Sequence, residues 1–191
     1  MENLQNYLNN RPQHLAIIRS KEIPFYNQYK PFNYPLLDYG CGDGFFLNQL
    51  IDTPNQETIG VDIKNKIISK KYNNNYDHYL NLLKTPLPKN KFKTVIANCV
   101  FEHIKQLDKT LDSIYKSMQK DGVLLTTVAT NYYPKYLFFK FIPGYKKFMN
   151  SMSNHNNLLT TDQWQNLLQK NGFKIIEKQP YLNNPWLMVL F

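Results

Sequence analysis

Leu36-Leu37-Asp38-Tyr39-Gly40-Cys41-Gly42-Asp43-Gly44 is a short apolar run that ends on an acid and three glycines spaced G-x-G-x-G. The run predicts a buried strand, and the glycines predict a tight turn into a helix. The spacing also bears on the ligand. A dinucleotide fingerprint needs G-x-G-x-x-G, but Phe45 stands at its third glycine, and the Gly-Lys-Ser/Thr of a Walker loop is absent. A glycine turn without a phosphate-cradling helix start, preceded by the carboxylate of Asp38, suits a ligand carrying an ammonium and a sulfonium group. The same spacing on its own also serves a purely structural strand-to-helix turn.

About twenty residues further on, Ile59-Gly60-Val61-Asp62-Ile63 ends a second apolar run on an acid. A carboxylate there can accept two hydrogen bonds from vicinal ribose hydroxyls, which implies adenosine. Strands are predicted over 34–39, 58–61, 78–80, 94–97, 123–128, 173–177 and 185–191. Helices are predicted over 44–52, 65–72, 107–119 and 161–171, the last opened by Thr160-Thr161-Asp162 and closed by Asn171-Gly172. This alternation predicts an α/β fold with a doubly wound, mainly parallel sheet. Residues 1–30 read as leading helices. Residues 131–160 read as a long insertion near the carboxyl ends of the strands, the edge where open α/β sheets bind ligands.

The chain has 191 residues, 42% of them hydrophobic and 15% aromatic, enough for one core, so residues 1–191 are read as one domain. Its 23 Lys plus Arg against 14 Asp plus Glu leave a net charge of +9, which permits a polyanionic partner without requiring one. Arg11 and Arg19 are the sole arginines, whereas phosphate readers favour the arginine fork, so nucleic acid ranks below a small ligand. Cys41 and Cys99 form no CxxC pair, the amino terminus has no signal-peptide pattern, and no apolar run is long enough to span a bilayer. A reduced, cytoplasmic protein is expected. The apolar run 186–191 at the end is either a last strand or the cut edge of something longer.

With both acidic strand ends in place, the sequence resembles the class I S-adenosylmethionine-dependent methyltransferases, particularly the type 11 small-molecule branch, from about Pro35 to Pro180. The resemblance implies a seven-stranded Rossmann-like sheet of order 3-2-1-4-5-7-6 with a helical lid, and S-adenosylmethionine as cofactor. It places Asp38, Gly40, Cys41, Gly42, Gly44, Asp62, Ile63, Asn81, Leu82 and Asn98 around that cofactor. A stretch common in the family, roughly G-D-A-x-x-L-P-F-P-D-x-S-F-D-x-V-x-S-N-x-V-L-E-H-V, aligns with LNLLKTPLPKNKFKTVIANCVFEHI, residues 80–104. Asn81 stands for the adenine-binding Asp and keeps an acceptor oxygen without the charge, weakening that contact by about 1 kcal/mol. Lys93 replaces an Asp whose role is commonly structural.

The loop after Asn98 reads Asn-Cys-Val-Phe, unlike the Asn-Pro-Pro-Tyr of enzymes that methylate exocyclic amines. Cys99 does not follow a proline as the nucleophile of 5-methylcytosine enzymes does, and reads as a small buried residue. Ubiquinone-type O-methyltransferases and small-RNA terminal 2′-O-methyltransferases carry Glu-x-x-Glu-His around a divalent metal. Here Cys99 takes the place of the first ligand. One carboxylate and one imidazole make a poor Mg²⁺ cage, so no metal is expected and a chelator should leave activity unchanged. His103 is a candidate general base toward a hydroxyl, while Glu102-His103 also suits capping the following helix.

Residues 131–149, NYYPKYLFFKFIPGYKKFM, interleave aromatic side chains with lysines and form a surface too apolar for an ordinary loop. They fit a lid over the acceptor, then an interfacial anchor, with peripheral membrane contact through 132–148, then a base-stacking surface. His155, in Ser-Asn-His-Asn-Asn ahead of Trp164, is a candidate substrate contact or an exposed turn residue. Methyl transfer to an oxygen or nitrogen of a small-molecule, lipid or glycan acceptor is the expected activity. RNA methylation and a non-catalytic cofactor-binding subunit are the alternatives.

Overall fold

A computed structural model describes residues 2–11, 13–52, 56–63, 72, 75–82, 85–131, 141, 143–144 and 154–179. Five strands, β1 (Leu36–Tyr39), β2 (Thr58–Asp62), β3 (His78–Asn81), β4 (Phe92–Asn98) and β5 (Met118–Thr127), form one sheet of order β3-β2-β1-β4-β5. All four pairings are parallel, with Leu37 beside Ile59 and Val95, and Ile96 beside Leu125. Among the described residues, five α-helices accompany them: α1 (Glu2–Asn10), α2 (Gln13–Asn27), α3 (Phe45–Asn48), α4 (Leu107–Ser117) and α5 (Thr161–Lys170). This is the Rossmann-like, doubly wound arrangement expected.

Parallel strands covered on both faces read as continuous apolar runs because successive side chains enter two different cores. Leu36 and Ile96 join Tyr7, Ile23, Tyr26, Phe45 and Leu47 in one apolar layer. Leu37, Val95 and Ala97 join Phe101, Leu111, Ile114 and Trp164 in the other. The leading helices therefore belong to the domain core. In α4, Leu107, Leu111 and Ile114 are buried at helical spacing. Helix α5 starts with a capping box, the Thr160 hydroxyl accepting from Gln163 N–H while Gln163 Oε1 accepts from Thr160 N–H.

Several expected boundaries move. The helix predicted over 44–52 spans only Phe45–Asn48, and Leu50 N–H then closes a tighter turn on the Leu47 carbonyl. Helix α4 stops at Ser117 and β5 begins at Met118, not at Val123, because Met118 pairs with Phe92. The chain between Met118 and Val123 bulges out, held by Gln119 Nε2 donating to the Lys91 carbonyl at 2.9 Å. Lys93, at the position of the family's structural Asp, is exposed on β4, its N–H donating to the Pro35 carbonyl at 2.9 Å.

The sixth strand predicted over 173–177 does not form among the described residues. Phe173 instead packs edge-on against Tyr115, with ring centroids 5.3 Å apart, and Ile176 is 81% exposed. A strand needs a ladder partner, which alternation along the chain does not supply. The partner expected for it, residues 185–191, lies outside the described residues. So do the helix predicted over 65–72, apart from the buried Tyr72, and most of the insertion. Among the described residues, no helix is long and apolar enough to cross a membrane.

Candidate active site

The carboxyl ends of β1 to β3 form one half of the site. Gly40, Gly42 and Gly44 have φ of 77°, 57° and 83°, the left-handed region that side chains resist. At Gly40 an added Cβ would lie 2.5 Å from Val100 Cγ2, so the turn also packs too closely for any side chain. At Gly42 a Cβ would meet nothing within 4 Å and would project into open space above the turn. The turn is tied to β2: Gly40 and Cys41 N–H donate to the Val61 carbonyl at 2.8 and 3.1 Å, and Gly42 N–H donates to Asp62 Oδ2 at 3.0 Å. Register places Asp62 beside Asn81, and Leu82 N–H donates to the Asp62 carbonyl at 3.1 Å. Ile63, next to this pair, is 59% exposed.

Asp38 lies beneath the turn. It is buried and accepts a hydrogen bond from the Tyr76 hydroxyl. Burial, with the Asp62 carboxylate adding to it, pushes the Asp38 carboxyl up to about 7. Burial likewise pushes the Cys41 thiol up, so it is a packing group and no nucleophile. Asp43 faces outward and is gripped by Arg11 at 2.7 and 2.6 Å, while the guanidinium carbon sits 4.4 Å from the Phe45 ring centroid. Burial opposes ionisation of Asp43, but the Arg11 fork and the Phe45 N–H prevail and hold the carboxyl below its usual value.

The carboxyl ends of β4 and β5 form the other half. The chain leaves β4 through Cys99, with φ 49°, and enters a 3₁₀ turn over Phe101–His103. Asn98 Oδ1 accepts from Tyr26 at 3.2 Å and from Thr127. Below it, the fully buried Glu22 pairs with Arg19 at 2.9 Å and lies 3.2 Å from Cys99 Sγ. Burial pushes the Cys99 thiol up, in agreement with its reading as a small buried residue.

Glu102 is 1% exposed. Its Oε1 accepts from Ala129 N–H at 3.3 Å, and its Oε2 has no hydrogen-bond partner among the described residues. Burial raises its pKa. Its backbone carbonyl accepts from Asn156 and Asn157 N–H at 2.7 and 2.9 Å, and Asn157 Nδ2 donates to the Phe101 and Ile104 carbonyls at 3.0 and 2.6 Å. These bonds set the His155 ring 5.0 Å from the His103 ring. His155 is half-buried, and burial followed by the charge of His103 lowers its pKa to about 4, leaving a neutral imidazole at pH 7. The insertion begins and ends here, since Asn131 N–H donates to the Leu159 carbonyl at 2.9 Å.

The predicted site residues thus collect along one edge of the sheet in two groups. Gly40, Gly42, Gly44, Asp62, Ile63, Asn81 and Leu82 form the first, with Asp38 and Cys41 beneath it. Asn98, His103 and His155 form the second. Sequence reasoning missed Arg11, Glu22, Asp43 and Tyr76. The signal available for Glu22 was Arg19 three residues earlier on a helix, a pairing that is usually a surface feature. Here it is buried.

Residues 7–178 match a family model described as a methyltransferase domain. No curated protein matches the chain in sequence. Among solved structures, an S-adenosylmethionine-dependent methyltransferase from Mesorhizobium loti is similar with a TM-score of 0.67 at 14% identity, over 91% of this chain and 90% of that one. A possible histamine N-methyltransferase from Thermotoga maritima is similar with a TM-score of 0.64 at 17% identity, over 91% of this chain and 77% of that one. Phosphoethanolamine N-methyltransferase 2 of Haemonchus contortus, solved with S-adenosyl-L-methionine, gives a TM-score of 0.62 at 17% identity; the match covers 89% of this chain and 44% of that one.

Proposed function

The chain belongs to the methyltransferase domain family, and we propose that this S-adenosylmethionine-dependent enzyme methylates an oxygen or nitrogen of a small-molecule, lipid-linked or glycan acceptor. The residues of the glycine turn suit the cofactor chemically. The open space at Gly42 admits a close ligand, Asp62 offers carboxylate oxygens to vicinal hydroxyls, Asn81 offers an amide beside them, and exposed Ile63 offers an apolar face. When bound, S-adenosylmethionine supplies an electrophilic methyl group, and S-adenosylhomocysteine leaves as the acceptor loses a proton. The protein's own contribution is positioning and exclusion of water. Asn98 is locked by Tyr26 and Thr127, and His103 stands at the same edge as a candidate proton acceptor.

One observation supports the acceptor class. The insertion 131–160 is closed at its neck by the bond from Asn131 N–H to the Leu159 carbonyl and pinned near its end to Glu102, so its aromatic and lysine-rich sequence starts and finishes beside the second group of site residues. Phe141 within it is 73% exposed. An apolar cover over an acceptor recovers burial that a phosphate backbone does not.

The test uses methyl-labelled S-adenosylmethionine with separate small-metabolite, lipid, glycan and RNA fractions. Label is expected in one of the first three. Replacing Phe138, Phe139 and Phe141 with serine is expected to cut turnover while leaving cofactor affinity intact. Label in RNA, together with binding that falls steeply between low and physiological salt, would overturn the acceptor class.

A further inference from the structure

Glu102, His103 and His155 come from two segments 51 or more residues apart, joined by the contact of His103 with Asn154. One ligand atom from each lies within 4.8 Å of the other two. An ion bonded to carboxylate oxygen and imidazole nitrogen at ~2.0–2.2 Å sets its ligand atoms about 3.4 Å apart, so the three groups need to close by no more than about 1.4 Å. His103 is the exposed member of the three.

We infer that Glu102, His103 and His155 form a binding site for one divalent cation of the zinc and cobalt class at the carboxyl edge of β4. Three further observations support this. Glu102 is 1% exposed, yet its Oε2 has no hydrogen-bond partner among the described residues; a buried carboxylate oxygen without a donor is costly, and a bound cation removes that cost. His103 Nδ1 lies 3.2 Å from the Asn154 carbonyl; with the proton on Nδ1, that bond orients the ring and leaves Nε2 as the ligand, the arrangement typical of metal-bound histidines. Asn156 and Asn157 clamp the His155 turn onto the 3₁₀ turn through both backbone and side-chain bonds, so the third ligand is held in place before any ion arrives.

The donor set chooses the ion. Two imidazoles and one carboxylate suit Zn²⁺, Co²⁺ or Mn²⁺, whereas Mg²⁺ and Ca²⁺ require mostly oxygen. Three protein ligands also leave one position of a tetrahedral ion open. The sequence expectation of no metal counted only Glu102 and His103, because the spacing to His155 carries no sign that the two segments meet.

The experiment uses the full-length protein without a histidine tag, stripped with chelator and titrated with Zn²⁺ and Co²⁺ by calorimetry and visible absorption. One equivalent is expected to bind, with Co²⁺ giving the intense visible bands of a site of low coordination number, and Mg²⁺ giving none of the heat. H103A and H155A are each expected to weaken Zn²⁺ binding by more than the ~10- to 100-fold typical of losing an outer-shell partner. Unchanged S-adenosylmethionine affinity in both variants serves as the control for folding. As a second readout in the unaltered chain, Zn²⁺ is expected to shift the ring-nitrogen resonances of two of the 4 histidines. Absence of stoichiometric binding overturns the site, as does Zn²⁺ affinity indifferent to both variants, Mg²⁺ binding in preference to Zn²⁺, or shifts confined to other histidines. None of these readouts needs an acceptor, so failure here and failure of the acceptor assignment are separable.

Discussion

The two halves of the site are built in different ways. The half at β1 to β3 is made of backbone: a turn from Gly40 to Gly44 whose N–H groups are tied to β2, and two polar side chains placed side by side by strand register. The half at β4 and β5 is made of side chains from segments far apart in sequence, Glu22 meeting Cys99 across 77 residues and Asn157 meeting Ile104 across 53. Glycine geometry leaves little to vary, which on the proposed reading suits the backbone half to the shared cofactor. A side-chain cluster varies residue by residue, which on the same reading suits the other half to the acceptor.

The largest expected effect is on the side-chain half. Glu22→Ala leaves Arg19 in a largely buried position without its carboxylate, and breaking such a pair costs about 3–5 kcal/mol, the lower figure applying to a guanidinium that is 25% exposed. Urea unfolding measures it. S-adenosylmethionine affinity of the folded variant should be unchanged, and a variant that keeps its stability but loses the cofactor would break the division between halves.

A comparable effect on the backbone half depends on pH. Asp38 has a folded pKa of about 7 against an ordinary 3.8, so between those values the native state binds more protons than the unfolded chain. Stability contributed by its protonated form is therefore lost as pH rises through that window, by up to about 4 kcal/mol. Asp38→Asn should flatten the pH dependence of urea unfolding between pH 4 and 7. An unchanged slope would mean that Asp38 is ionised in the native state throughout.

Next comes Asp62→Ala, which removes a charged acceptor from the cradle. The loss of two ribose hydrogen bonds is expected to cost about 2–4 kcal/mol, roughly thirty- to a thousandfold in affinity by calorimetry. Full affinity in this variant would remove Asp62 from the cofactor site.

The smallest effect sharpens the boundary between α1 and the glycine turn. Arg11→Ala releases the partly exposed Asp43 pair and should cost about 1 kcal/mol in unfolding stability, with a correspondingly small loss of cofactor affinity. A loss of stability with no effect on the cofactor would show that Arg11 anchors α1 without shaping the turn.

Residues 36–44 and Asp62 made the fold and the glycine turn legible, because parallel strands, glycine turns and acidic strand ends are local patterns. The sheet order β3-β2-β1-β4-β5 agrees with what the resemblance implied for the first five strands. Boundaries were less legible where a partner decides them: Met118 enters β5 because Phe92 is beside it, and the run at 173–177 forms no strand among the described residues.

The amino-acid sequence by itself therefore determined the layered α/β architecture, the glycine cradle and its paired acid, since each depends on neighbours within a strand or a turn. Tertiary structure alone decided that Glu22 is buried against Arg19 and Cys99, that Arg11 grips Asp43, and that His155 stands over Glu102 and His103. The physical reason is that burial and hydrogen-bond partners are set by chain crossings between distant segments, and a charged pair on a helix or a histidine in a turn reads the same in sequence whether the fold exposes it to water or closes around it.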